Sequence, residues 1–211
     1  MKAVYIDQPG GPEALIYGER PAPTPAANEV LVKVAYSGVN FIDTYHRSGL
    51  YKLPTPAILG SEAAGTVEGV GEGVKGFKPG DRVAYAMSRG SYAEYHAVPA
   101  AMLVKVPESV ELDIAAAVML QGMTAHYLTH STFPLKRGDK CLVHAAAGGA
   151  GRLIVQMAKM LGATEVLRKP FSIIQLFGRV GRLIGPARVA AELPQHSQAA
   201  RSAPNPLKLK L

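Results

Sequence analysis

Residues 140–163 read KCLVHAAAGGAGRLIVQMAKMLGA, and this stretch decides the fold. Residues 140–147 form a short apolar run, which predicts a buried strand. Residues 148–151, Gly-Gly-Ala-Gly, follow at once as a turn. Residues 152–161 then carry apolar side chains at 153, 154, 157, 158 and 161, a helical period. Gly162 is a natural helix stop, and residues 165–167 can open a second strand. Strand, glycine turn, helix and strand make one βαβ unit. Glycines at such a turn let the backbone approach a pyrophosphate, and the helix N-terminus offers free N–H groups and positive dipole. The spacing Ala145-x-x-Gly148-x-x-Gly151 is a variant of the dinucleotide fingerprint, with Gly149 and Ala150 inside it. The competing reading is a small-residue turn that only packs a helix on a sheet. Where a ribose-binding acid or a 2′-phosphate pocket belongs, the sequence offers Arg168 and Lys169.

Outward from this unit, the pattern changes. Residues 1–6, 29–36, 65–70, 81–86 and 91–98 are short β-prone runs separated by glycine turns. In 29–36, Val30, Val32 and Val34 alternate against Leu31, Lys33 and Ala35, so one face is apolar. This spacing suggests a small barrel or sandwich, with 21–27 (PAPTPAA) as an extended linker. After Pro107, residues 113–120 read as helix and 124–130 continue helically past Gly122; 136–139 is a turn. The class is α/β with a β-rich part. The expected divisions are 1–120, 121–166 and a divergent basic tail over 167–211.

Composition bounds the function. The 211 residues are 48% hydrophobic and 18% charged, which excludes wholesale disorder. No apolar run approaches a membrane span, and Asp7 arrives before a signal-peptide core could form, so a soluble, cytoplasmic protein is expected. Cys141 is the only cysteine, which allows no intrachain disulfide and no multi-cysteine zinc site. His126 and His130 have i, i+4 spacing but no Glu at 127, so they do not make a zincin motif, and no metal is expected. The net charge of +7 is uneven. Residues 1–166 hold 15 basic and 15 acidic residues, whereas 167–211 hold eight basic residues and Glu192. Residues 171–184 have an amphipathic, basic pattern, and 187–211 are rich in Ala, Pro, Ser and Gln, a composition read as poorly ordered. No nucleic-acid motif accompanies the tail, so no nucleic-acid partner is expected.

Several segments together resemble a known family. They are residues 1–3 (MKA), 38–51 (GVNFIDTYHRSGLY), 59–67 (LGSEAAGTV), 70–83 (VGEGVKGFKPGDRV), 120–124 (LQGMT) and 144–163, with 90–94 between them. Over 1–166 the chain resembles the zeta-crystallin-like quinone oxidoreductases of the medium-chain dehydrogenase/reductase superfamily. The resemblance implies a GroES-like partly open barrel followed by a Rossmann-like cofactor domain, here incomplete, because the likeness stops near Val166. It implies NADPH-dependent reduction of quinones or related enones by hydride transfer. It places Asn40 and Tyr45 beside the nicotinamide as the catalytic pair. It makes Tyr51, Gln121, Gly122, Thr124 and the 145–151 turn cofactor contacts. An amide and a phenol at 40 and 45 can orient a carboxamide or hydrogen-bond a quinone oxygen; the alternative is that Asn40 caps a helix and Tyr45 packs. Asp43 reads as a helix N-terminal charge rather than an acid catalyst.

The family commonly has Lys where Gln121 stands. Ser61 stands where the zinc-dependent relatives have His in Gly-His-Glu, which argues for zinc independence. Two other readings stay open: a catalytically inactive truncated relative, and an interaction protein acting through its basic tail. An incomplete sheet edge would also allow self-association.

Overall fold

The computed structural model describes residues 1–163. The second strand over 165–167, Arg168 and Lys169, and the tail from 167 lie outside the described residues. Two open sheets form the first part of the chain. In one, β1 (Lys2–Ile6) pairs antiparallel with β2 (Ile16–Glu19) and with β4 (Ala57–Ile58). The other has the order β7-β3-β5-β6-β8, from β3 (Glu29–Ser37), β5 (Glu62–Val70), β6 (Arg82–Ala86), β7 (Tyr95–Pro99) and β8 (Leu103–Lys105). All its pairings are antiparallel, and it does not close into a barrel. This agrees with the expected partly open barrel. Helix α1 (Phe41–Ser48) follows β3, and α2 (Leu112–Tyr127) follows β8.

The valine alternation in β3 does what its period predicts. Val30 and Val32 are fully buried and join Val67, Val83, Tyr85 and Val98 between the strands. Burying each valine contributes about 1.5–3 kcal/mol. The central strands β5 and β6 are covered on both faces. Ala63 belongs to the inner cluster, whereas Ala64 and Ala84 pack against Ala115 and Ala116 of α2. Small side chains on both partners let the helix lie close to the sheet, and that closeness positions the site described below.

Four expectations change. The two expected helical stretches, 113–120 and 124–130, join through Gly122 in the one element α2, and a wide π-type turn, Leu128–Thr132, follows it. One glycine costs about 1 kcal/mol in a helix, which packing readily offsets. Residues 91–94 are not part of β7, although Ala93 makes an isolated bridge to Ala3. The third change is the largest: residues 140–147 are not a strand. Leu142 is half exposed, and residues 144–147 turn, with Ala145 at φ +50°. A parallel strand needs neighbouring strands to satisfy its backbone, and no strand among the described residues lies there to pair. Finally, Cys141 is therefore only partly buried and not in a strand. Helix α3 (Gly149–Met160) forms as expected and begins three residues earlier than its apolar period. Gly162 follows it at φ +94°, the left-handed stop expected there.

Tyr85 of the inner cluster meets a partly buried histidine. The Tyr85 hydroxyl and His96 Nδ1 are 2.8 Å apart. Burial lowers the His96 pKa to about 4, against weaker opposing pulls from the Arg89 backbone and Glu29. The unfolded chain takes up this proton near 6.5, the folded chain only near 4. Between those values the unfolded state binds more protons, so the stability present above 6.5 is lost as pH falls. Urea denaturation from pH 7 to 4.5 should show up to about 3 kcal/mol of such loss. A His96→Gln variant should have a flatter profile, and equal pH slopes for the two proteins would refute the assignment.

Candidate functional site

Asn40 sits at the N-terminus of α1, where β3 ends. Its backbone N–H donates to Asp43 Oδ2 at 2.9 Å, so Asp43 acts as the helix N-terminal charge the sequence suggests. The Asp43 carboxylate also accepts from Ser61 Oγ (3.0 Å) and the Tyr92 hydroxyl (2.8 Å). Burial, reinforced by Asp43, pushes the Tyr92 phenol pKa well above its ordinary value. Ser61 thus holds Asp43 at the position where zinc-dependent relatives have a histidine.

Glu62 is the residue that sequence reasoning missed. It is fully buried at the start of β5. Its Oε2 accepts from Asn40 Nδ2 at 2.6 Å, and its Oε1 accepts from the Leu120 N–H of α2 at 2.5 Å. Burial raises the Glu62 pKa, and the Asp43 charge adds to this; the Leu120 and Asn40 donors pull it back. The available signal was a lone carboxylate in the apolar, small-residue run LGSEAAGTV.

On its other side Asn40 meets Gln121. Gln121 Nε2 lies 3.5 Å from Asn40 Oδ1, a long contact. The far end of Gln121 reaches Gly149 at the N-terminus of α3, where an added Cβ would overlap the carboxamide. Three residues singled out in the sequence, Asn40, Gln121 and Gly149, therefore converge. The turn itself is tight. Gly148 N donates to Ala145 O at 2.9 Å, and an added Cβ at Gly151 would overlap that carbonyl. Gly148 and Gly149 are exposed, so the first turn of a 12-residue helix presents open backbone. The exposed N–H groups of such a first turn suit a phosphate group.

The remaining predicted residues have other surroundings. Thr124 Oγ1 donates to Leu120 O at 2.8 Å, and Gly122 faces Val118 and Leu153 where α2 meets α3. Ala150 is half-buried in the first turn of α3. Tyr45 and Tyr51 pack edge to face at 5.3 Å, and Phe41 and His46 adjoin them. Among the described residues, no hydrogen bond or ring contact joins either tyrosine to Gln121 or the glycine turn. His126 and His130 are exposed and stack at 4.1 Å.

Known proteins resemble this chain over most of its length. The alcohol dehydrogenase GroES-like domain family matches residues 26–108. A quinone oxidoreductase from Pseudomonas aeruginosa is 50% identical over 163 residues, covering 76% of this chain and 50% of that protein. A 2-haloacrylate reductase from a Burkholderia species is 42% identical over 173 residues, 79% of this chain and 52% of that protein. The crystal structure of Escherichia coli quinone oxidoreductase complexed with NADPH superposes with a TM-score of 0.81 at 37% identity, covering 88% of this chain and 63% of that one. The chain spans about half the length of the curated relatives it matches.

The two glycines of the turn make separable predictions. At Gly151 the obstacle is backbone, so Gly151→Ala should cost about 1–3 kcal/mol in urea denaturation. At Gly149 the obstacle is a movable side-chain end, so Gly149→Ala should cost clearly less. The reverse order would contradict the close approach at Ala145. By sequence and by fold, this chain is similar to the quinone oxidoreductases of the medium-chain dehydrogenase/reductase superfamily over about half of their length.

Proposed function

We propose that the cleft at Asn40, Gln121 and the 145–151 turn holds NADPH and serves zinc-independent reduction of quinones or related enones. The observation that carries this reading is Gln121, which touches Asn40 on the β-rich part and Gly149 at the α3 N-terminus. The E. coli neighbour is a quinone oxidoreductase complexed with NADPH, which supports the same reading. The open N–H groups of α3 and its positive dipole would hold the pyrophosphate. Bound there, a reduced nicotinamide supplies a hydride. The chain's part is to orient the reacting carbons, exclude water and donate a hydrogen bond to developing negative charge. Asn40 and Tyr45 are the residues we assign to that role, with Tyr51 behind Tyr45. The hydride would carry two electrons and one proton, and a proton from solvent would complete the hydroquinone. No nucleophile is needed, and Asn40 and Ser61 are committed to Glu62 and Asp43 rather than to a metal.

Among the described residues, 141–147 are not a strand, which favours a second reading for the 211-residue chain alone. With no strand among the described residues behind the turn, the cradle is less firmly held and the cofactor binds weakly. The division into 1–120, 121–166 and a basic tail, and self-association through an incomplete sheet edge, remain part of this proposal. NADPH fluorescence titration tests it. We expect saturable binding with a Kd on the order of 100 µM, and at least about tenfold weaker binding by Gly149→Val. No saturable signal, or a Gly149→Val variant that binds like the parent, would overturn the reading.

A further inference from the structure

We propose that Glu62 is a positioning residue that fixes the direction of an amide relay running from Glu62 through Asn40 to Gln121. The relay's value for cofactor binding rests on the reading of this cleft as an NADPH site; its direction does not. A carboxylate can only accept hydrogen bonds. One Glu62 oxygen is taken by the Leu120 N–H, a donor that cannot turn round. The other therefore holds the NH2 end of Asn40, 2.6 Å away. With one N–H of its NH2 group held by Glu62, Asn40 turns its oxygen toward Gln121, and the Gln121 nitrogen faces it. The Gln121 oxygen is left toward Gly149 and the α3 N-terminus, where the space of an added Cβ overlaps it. A single buried charge thus selects one of two arrangements for each of two amides.

The packing around Glu62 supports the assignment. An added Cβ at Gly38 would overlap Glu62 Oε2, and Gly38 N and Ser37 Oγ both donate to the Glu62 carbonyl (3.0 and 2.9 Å). The Glu62 N–H faces Ser91 Oγ at 3.3 Å. Backbone and side chain are held together, so the carboxylate has little freedom to turn away.

Glu62→Gln keeps the shape and removes the rule. If the oxygen of the introduced carboxamide keeps the Leu120 N–H, its NH2 confronts the NH2 of Asn40. The conflict is relieved when Asn40 turns over, and Gln121 turns with it.

The test is ¹⁵N NMR of the side-chain amides in the full chain. Asn40 is assigned from the loss of its signals in Asn40→Asp. In the parent, one Asn40 amide proton should be shifted strongly downfield and protected from exchange. In Glu62→Gln both features should vanish, and the Gln121 amide signals should move, while backbone signals of β3 and β5 remain. Gly38→Ala, which displaces the carboxylate without removing its charge, should act alike and serves if Glu62→Gln does not fold. The exposed neighbour Glu68→Gln should change nothing. NADPH affinity should fall about fivefold in Glu62→Gln, the scale of one hydrogen bond. Asn40 and Gln121 signals that stay at their parent positions in Glu62→Gln would overturn the inference. If the parent binds no NADPH, the functional reading fails, and the amide signals still decide the positioning role.

Discussion

A buried carboxylate with no cation beside it is the constraint around which the site is arranged. Leaving an ionised carboxylate unpaired in an apolar interior costs several kcal/mol, so its hydrogen bonds must be made. Among the described residues, none of the ion pairs involves Glu62. Instead it is satisfied by one backbone N–H from α2 and one amide from the N-terminus of α1. These two bonds reach elements 58 and 22 residues away in sequence. A single side chain therefore ties the β-rich part to the helix that leads into the glycine turn.

That tie works only because α2 approaches the sheet closely. Ala64 and Ala84 on the strands meet Ala115 and Ala116 on the helix. Larger side chains there would force the helix outward and lengthen the Leu120 contact. The same closeness sets Gln121 over Gly149, so the packing of four alanines and the geometry of the cleft are one problem. Asp43 is a neighbouring acceptor with three donors of its own, which keeps two acids compatible in a small volume.

Much of this is legible from residue patterns. The valine period of β3 names the buried face, and the Gly-Gly-Ala-Gly turn locates the start of α3. Asp43 reads as a helix charge and is one. Asn40 is placed by resemblance, and the structure adds that its amide faces a carboxylate. Other features are not legible because they depend on distant partners. Residues 140–147 have strand-like composition, but a strand is made by its neighbours, and composition does not supply them. The short strands β2, β4 and β8 have two to four residues, too few for a period to register. Glu62 escapes notice for a different reason. The Gly-Ser-Glu segment draws attention as a metal motif, and once Ser61 excludes the histidine, the glutamate beside it is left without a role.

The Leu120 amide gives the most direct test of the tie between sheet and helix. Its hydrogen exchange can be compared with the amides of Ala63 and Ala64 in the middle of the sheet. If Glu62 holds it, Leu120 should exchange as slowly as those strand amides, and Glu62→Ala, which removes the acceptor, should speed it selectively. A Leu120 amide that exchanges like an exposed turn, while the strand amides stay protected, would contradict the account.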